Sequence, residues 1–266
     1  MPPVATSLTA TPSAPSTTAT ATPPAVTPTS RSSLFPEAAA LADSIEAQFG
    51  VRIVDSRQDW GATEDLQTRN IAAVGEALAS VPLLVRVTVN SQAPLAFLSN
   101  HTGATEAGWE PYGQREANYY TNEDVSVTGR VASNQVVLQP GSSSQTIAHE
   151  IMHGYQMRSV EPGMYALALI STEMKSFMAA TGWVQLGTDD EVRAATGAGW
   201  ESVNVLFRYD GRSLTYLNQF GDSLTLYTPN PVEAYAETGG LLYGHNSAMT
   251  LPDWPEYWDW FRANVG

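Results

Sequence analysis

The segment TIAHEIMHGY, residues 146–155, constrains this chain more than any other stretch, because it sets two histidines four positions apart with an acid directly after the first. On an α-helix, positions i and i+4 stand one turn apart on the same face. His149 and His153 can therefore approach a single cation while Glu150 projects beside it. Ile147, Ala148, Ile151, Met152 and Tyr155 fall on the other side at helical spacing, which gives the helix an apolar stripe to bury. Ser142 and Gln145 have the spacing of a capping box, so the helix is expected to start beside GSSSQ, and Gly154 is expected to let the chain bend away at its end.

The donor set points to zinc. Cysteine is absent, so a metal must be held by His, Asp or Glu. A zinc ion with three protein ligands keeps its fourth position for water and lowers the pKa of that water to about 7. Glu150 then has the place of a general base that takes the proton and passes it to a leaving amine. The bland alternative is a solvated helix face that carries His-Glu-x-x-His by chance. With only four histidines in 266 residues and an apolar stripe opposite, that alternative is the weaker one.

The net charge of −14, from 13 Lys+Arg against 27 Asp+Glu with Lys175 as the single lysine, leaves no basic patch to follow a phosphate backbone, so nucleic acid is not an expected partner. No apolar run approaches the roughly 20 residues that span a bilayer. The opening MPPVATSLTATPSAP has neither a basic start nor an apolar run of the kind a Sec-type signal peptide carries. Of the first 30 residues, 26 are Pro, Thr, Ser or Ala. We read residues 1–33 as a disordered Pro/Thr/Ala/Ser-rich tail and 34–266 as one domain. Such tracts often flank exported modules, which favours export by a non-classical route over the cytoplasm. A monomer acting on a protein or peptide substrate is expected.

Along the domain, FPEAAALADSIEAQFG has helical spacing ended by Gly50, VRIVDS alternates like a strand, and DLQTRNIAAVGEALASVP reads as a helix stopped by Pro82. LLVRVTVN, ANYYT and SNQVVLQPG read as strands. The fold class is therefore α+β, with several strands leading into the central helix.

A third metal ligand has several candidates. Ser159 stands where the metzincin extension needs histidine, which excludes that class. Glu173, in STEMKSFM, lies 20 residues beyond His153, a spacing similar to that of thermolysin-like peptidases, without their flanking Asn and Asp. Asp190, in GTDDEVRAA, resembles the start of the aspzincin motif without the Tyr-Gly that should follow. Glu233, in NPVEAYAETGG, is the strongest, but Asn230 and Pro231 look like an N-cap and first helical position. That makes Glu233 the third helical residue of a capping box, and Glu237 one turn later is then an alternative ligand.

PVEAYAE resembles the glutamate motif of the anthrax lethal factor-like gluzincins, which include the single-domain minigluzincins. STEMKSFMAATGW is similar to the helix those proteins place after the active-site helix, and SNQVVLQ resembles their substrate-aligning edge strand. The resemblance runs over roughly residues 36–240 and rests most specifically on the two His/Glu motifs. It implies a zincin-type fold: a mixed sheet with the active-site helix in an upper part, and a mostly helical lower part. It also implies a zinc endopeptidase in which Glu233 completes the site with His149 and His153, Glu237 steadies an imidazole, and Tyr227 donates to the oxyanion.

His101 and His245 read as loop or partly buried histidines rather than ligands, and WPEYWDWFRANV as a C-terminal helix packed on the core rather than an aromatic platform. Two alternative functions share the same motifs. One is a catalytically degenerate binding module such as an exported effector or virion component, and the other is a zinc hydrolase acting on peptidoglycan cross-links.

Overall fold

The computed structural model describes residues 33–54, 60–91, 93–99, 117–120, 134–138, 141–157, 165–196, 198, 200–210, 215–217, 223–225, 230–244 and 255–266. The tail up to residue 32, His101, Tyr227 and His245 lie outside the described residues.

Helix α1 (Pro36–Phe49) begins on a proline at its first position and ends at Gly50, whose φ of 69° needs a residue without Cβ. Strand β1 (Arg52–Val54) follows, then α2 (Glu64–Ser80), capped by Thr63. Strands β2 (Ala96–Ser99), β3 (Ala117–Tyr120) and β4 (Gln135–Leu138) complete a four-stranded sheet in the order β1-β2-β4-β3. β1, β2 and β4 run parallel, with Ile53 beside Phe97 and Phe97 beside Val136, and β3 is antiparallel to β4. The sheet is mixed.

Three expectations need correction here. LLVRVTVN is not a strand but a helix, α3 (Leu83–Val89). β-branched residues favour strands only weakly against tertiary context. Here Pro82 starts the turn, and Val85 and Val89, one helical turn apart, are buried while Leu83, Leu84 and Val87 stay exposed. SNQVVLQ is not an edge strand: β4 lies between β2 and β3, and the antiparallel outer strand is β3. Strand-forming composition does not encode strand order. Thirdly, helix α4 (Ser144–Gln156) starts at Ser143, whose hydroxyl accepts from the Thr146 amide at 3.1 Å, rather than at Ser142, and it runs through Gly154 to Gln156 because Tyr155 and Gln156 are both buried and hold the last turn.

After α4 the described chain is mostly helical. A 3₁₀ segment (Tyr165–Ile170) leads to α5 (Thr172–Thr181), β5 (Trp183–Gln185), α6 (Asp189–Thr196), α7 (Trp200–Asn204) and β6 (Phe207–Tyr209). Next come the short strands β7 (Thr215–Leu217) and β8 (Ser223–Thr225), helix α8 (Pro231–Tyr243) and helix α9 (Pro255–Asn264). Tyr257, Trp258, Trp260 and Phe261 of α9 are buried, so this helix is core. Phe177 of α5 sits among the rings of Tyr235, Tyr257 and Trp260, with centroids 5.2–5.5 Å away. Helix α4 is the shared element of the molecule: it packs against α2, α3, β3, β4 and α8. No single described helix is long and apolar enough to cross a membrane.

Candidate metal centre

Ile147, Ala148, Ile151 and Met152 are fully buried and fix the rotation of α4, which turns His149 and His153 toward α8. Helix α8 starts as its sequence requires. The Asn230 side chain accepts from the amides of Val232 at 2.9 Å and Glu233 at 3.1 Å, and Pro231 occupies the first turn. The Glu233 carboxylate faces the imidazoles rather than turning back to the Asn230 amide, and its Oε2 lies 3.6 Å from His149 Nε2 and 3.5 Å from His153 Nε2. The two Nε2 atoms are 3.0 Å apart. Among the described residues, His149, His153 and Glu233 form the group able to hold a metal ion.

The partners of the other ring nitrogens fix the chemistry. His149 Nδ1 is 3.1 Å from Glu237 Oε2, and a carboxylate there can only accept. His153 Nδ1 is 3.0 Å from Gln156 Oε1. The Gln156 amide nitrogen donates to the Val232 carbonyl at 3.0 Å, so its oxygen is the atom left for His153. Each Nδ1 is thus placed to donate, and both Nε2 atoms are turned toward each other and toward a carboxylate oxygen. Three electron-rich atoms at such distances repel unless a positive charge lies between them.

The spacing suits zinc. Sides of 3.0, 3.5 and 3.6 Å define a triangle whose circumscribed radius, the product of the sides over four times the area, is about 2.0 Å, and zinc bonds to N and O are about 2.0–2.2 Å long. Without a metal the same place attracts a proton. Burial pushes the His149 pKa down, but hydrogen bonds to Glu233 and Glu237 and the charges of Glu150 and Glu237 outweigh it and hold the pKa well above the ordinary histidine value. Burial likewise pushes Glu233 up, yet the charge of His153 and the hydrogen bonds to both histidines hold its carboxyl well below the usual carboxylate range.

The helices approach closely enough for these contacts because glycines in the last turn of α8 and at its C-cap face α4. A Cβ on Gly240 would stand 2.9 Å from His149 Cβ, and one on Gly244 would stand 2.2 Å from Gln145 Cα. Glu150 is buried beside His149 and outside the ligand group. Glu173 accepts from the Tyr235 hydroxyl at 2.8 Å, and Asp190 is exposed and paired with Arg193, so neither joins the centre. Gln156, Gly240 and Gly244 were not singled out from sequence as parts of this site. Gln156, one turn beyond His153 on the same face, is the one that helical spacing could have flagged.

Comparisons of the chain with protein families, with curated proteins and with solved structures gave no match. The centre is therefore read on its own geometry.

Proposed function

We propose that this protein is a zinc-dependent endopeptidase of the gluzincin type, with a zincin-type α+β fold. The observation that carries the reading is the convergence of His149 Nε2, His153 Nε2 and Glu233 Oε2 on a triangle of zinc dimensions, with Glu150 next to it but not in it. The antiparallel strand β3 beside α4, and an acid-bearing helix lying along α4, support the same reading. So does the resemblance of PVEAYAE to the lethal factor-like motif.

Bound at the three ligands, zinc would supply a Lewis acid that polarises a peptide carbonyl and acidifies a water. Glu150 would take the proton of that water on its carboxylate and return it to the leaving amine. Glu237 and Gln156 would hold the two imidazoles in the tautomer that presents Nε2. The outer backbone edge of β3 would receive an extended peptide by strand addition. Tyr227 is the proposed oxyanion donor on the family resemblance alone.

The test is turnover of casein and of a peptide library before and after chelation, with Glu150→Gln beside the wild type. We expect about one zinc per chain in both, activity restored by zinc in the wild type, and loss of at least about 100-fold in Glu150→Gln. Zinc-loaded wild type that cleaves no peptide would overturn the peptidase reading, and cleavage of peptidoglycan cross-links by that protein would move it to the alternative hydrolase.

A further inference from the structure

Glu173 stands outside the ligand group, yet it touches the helix that carries Glu233. The Tyr235 hydroxyl donates to Glu173 Oε1 at 2.8 Å, and this bond joins α8 to the first turn of α5. Tyr235 follows Glu233 by two positions, about 200° around a helix, so the two side chains leave α8 on nearly opposite sides. One is turned to the imidazoles of α4 and the other to α5. A hold on Tyr235 is therefore a hold on the direction of Glu233.

The centre is sensitive to that direction. Side-chain atoms stand roughly 5–6 Å from a helix axis, so turning α8 by about 20° carries a carboxylate oxygen through about 2 Å, the length of a zinc–oxygen bond. Gln156 of α4 resists such a turn at the start of α8, by donating to the Val232 carbonyl at 3.0 Å. Tyr235 resists it three positions further on. Its ring is fully buried against Phe177, Trp260 and Phe261, with centroids 4.7–5.6 Å away. Apolar contact is non-directional, whereas the hydroxyl bond fixes both distance and direction. Helix α5 gives that bond a firm base: Ser171 Oγ accepts from the Met174 amide at 3.1 Å, Met174 and Phe177 are buried, and Trp260 Nε1 of α9 donates to Ser176 Oγ at 3.1 Å. Close packing does not replace the bond on this side. A cavity of about 210 Å³ lies between Gln156 and residues Ser171–Met174, behind His153 on the side of its Nδ1.

We propose that Glu173 is a positioning residue of the metal centre: through Tyr235 it fixes the turn of α8 about its axis and so brings Glu233 to the histidine pair. The proposal rests on the reading of His149, His153 and Glu233 as zinc ligands. A bond that only stabilised the fold would change the melting temperature and leave zinc affinity as it is. One that positions Glu233 changes the affinity, because zinc must then restore the lost alignment. The test is zinc competition against a chromophoric chelator, together with the visible spectrum of the cobalt(II)-loaded protein, which responds to ligand geometry. Wild type, Tyr235→Phe, Glu173→Ala and Glu173→Gln are compared, with melting of the chelated proteins in parallel. Tyr235→Phe and Glu173→Ala should bind zinc about tenfold more weakly and alter the cobalt spectrum. Glu173→Gln, whose amide oxygen still accepts from the hydroxyl, should keep the wild-type affinity and spectrum. The two Glu173 variants decide the matter if Tyr235→Phe does not fold. Wild-type affinity and spectrum in Tyr235→Phe or Glu173→Ala, whatever the melting temperature, would overturn the positioning role, and so would a Glu173→Gln protein as weak as Glu173→Ala. Wild type that takes up no zinc would overturn the metal centre as well, whereas zinc-loaded wild type that cleaves no peptide would remove the peptidase reading and leave Glu173 in its place.

Discussion

Replacing Gly240 by alanine tests whether the distance between α4 and α8 is what makes the centre. Inside a helix this substitution ordinarily stabilises by about 1 kcal/mol, because glycine carries the larger entropy cost. Here the added Cβ would lie 2.9 Å from His149 Cβ, 3.1 Å from the Gln145 carbonyl and 3.3 Å from His149 Cα. Carbon atoms in optimal contact are about 3.5–4.0 Å apart, so α8 has to retreat by roughly 0.6–1 Å at this point. Glu237, one turn away on α8, now reaches His149 at 3.1 Å. A retreat of that size stretches the contact to about 4 Å, outside hydrogen-bonding range. Overpacking of this kind costs about 1–3 kcal/mol, which reverses the sign expected from propensity. Loss of an imidazole's orienting partner weakens metal binding by roughly 10- to 100-fold, and displacement of Glu233 adds to that. The assay is zinc competition against a chromophoric chelator, with melting of the chelated protein measured in parallel to separate affinity from stability. A folded Gly240→Ala protein that binds zinc as tightly as the wild type would refute the argument.

Glu233→Gln keeps a side chain of the same length but removes the anionic ligand, so it should lose most zinc, whereas Glu237→Gln should weaken affinity by only about 10- to 100-fold; zinc titration of the two side by side checks the order, and its reversal would move the ligand to Glu237. For the zinc-free protein, the raised His149 pKa contributes stability that is fully present below its unfolded value of 6.5 and lost as pH rises through the folded value, while the lowered Glu233 pKa contributes stability present above 4.5 and lost as pH falls through its folded value. Melting temperature of the chelated protein should therefore be greatest between these two values and decline above pH 7. Zinc must displace the His149 proton, so the increase in melting temperature on adding zinc should grow with pH over the same range; a zinc effect independent of pH would contradict this.

The helix bearing His149 and His153 could be read from sequence because everything it needs is local. Two histidines four apart share a face on any α-helix, and Ile147, Ala148 and Ile151 recur at helical spacing off that face. The start of α8 was equally legible, since Asn230 and Pro231 answer the helix's own first amides. Sequence also narrowed the third ligand to acids on a few helices. Tertiary structure decided the rest. Glu233 and Glu237 stand one turn apart on the same side of α8, and only the line along which α8 crosses α4 gives Glu233 the two Nε2 atoms and Glu237 the Nδ1 of His149. The part played by Gln156 depends on Val232 presenting a carbonyl to it from another helix, 76 positions further along the chain. LLVRVTVN became a helix because Val85 and Val89 found burial one helical turn apart, and β4 moved to the interior because β3 pairs along its outer side. In each case the deciding energy came from a partner distant in sequence, which neither local propensity nor a spacing rule contains.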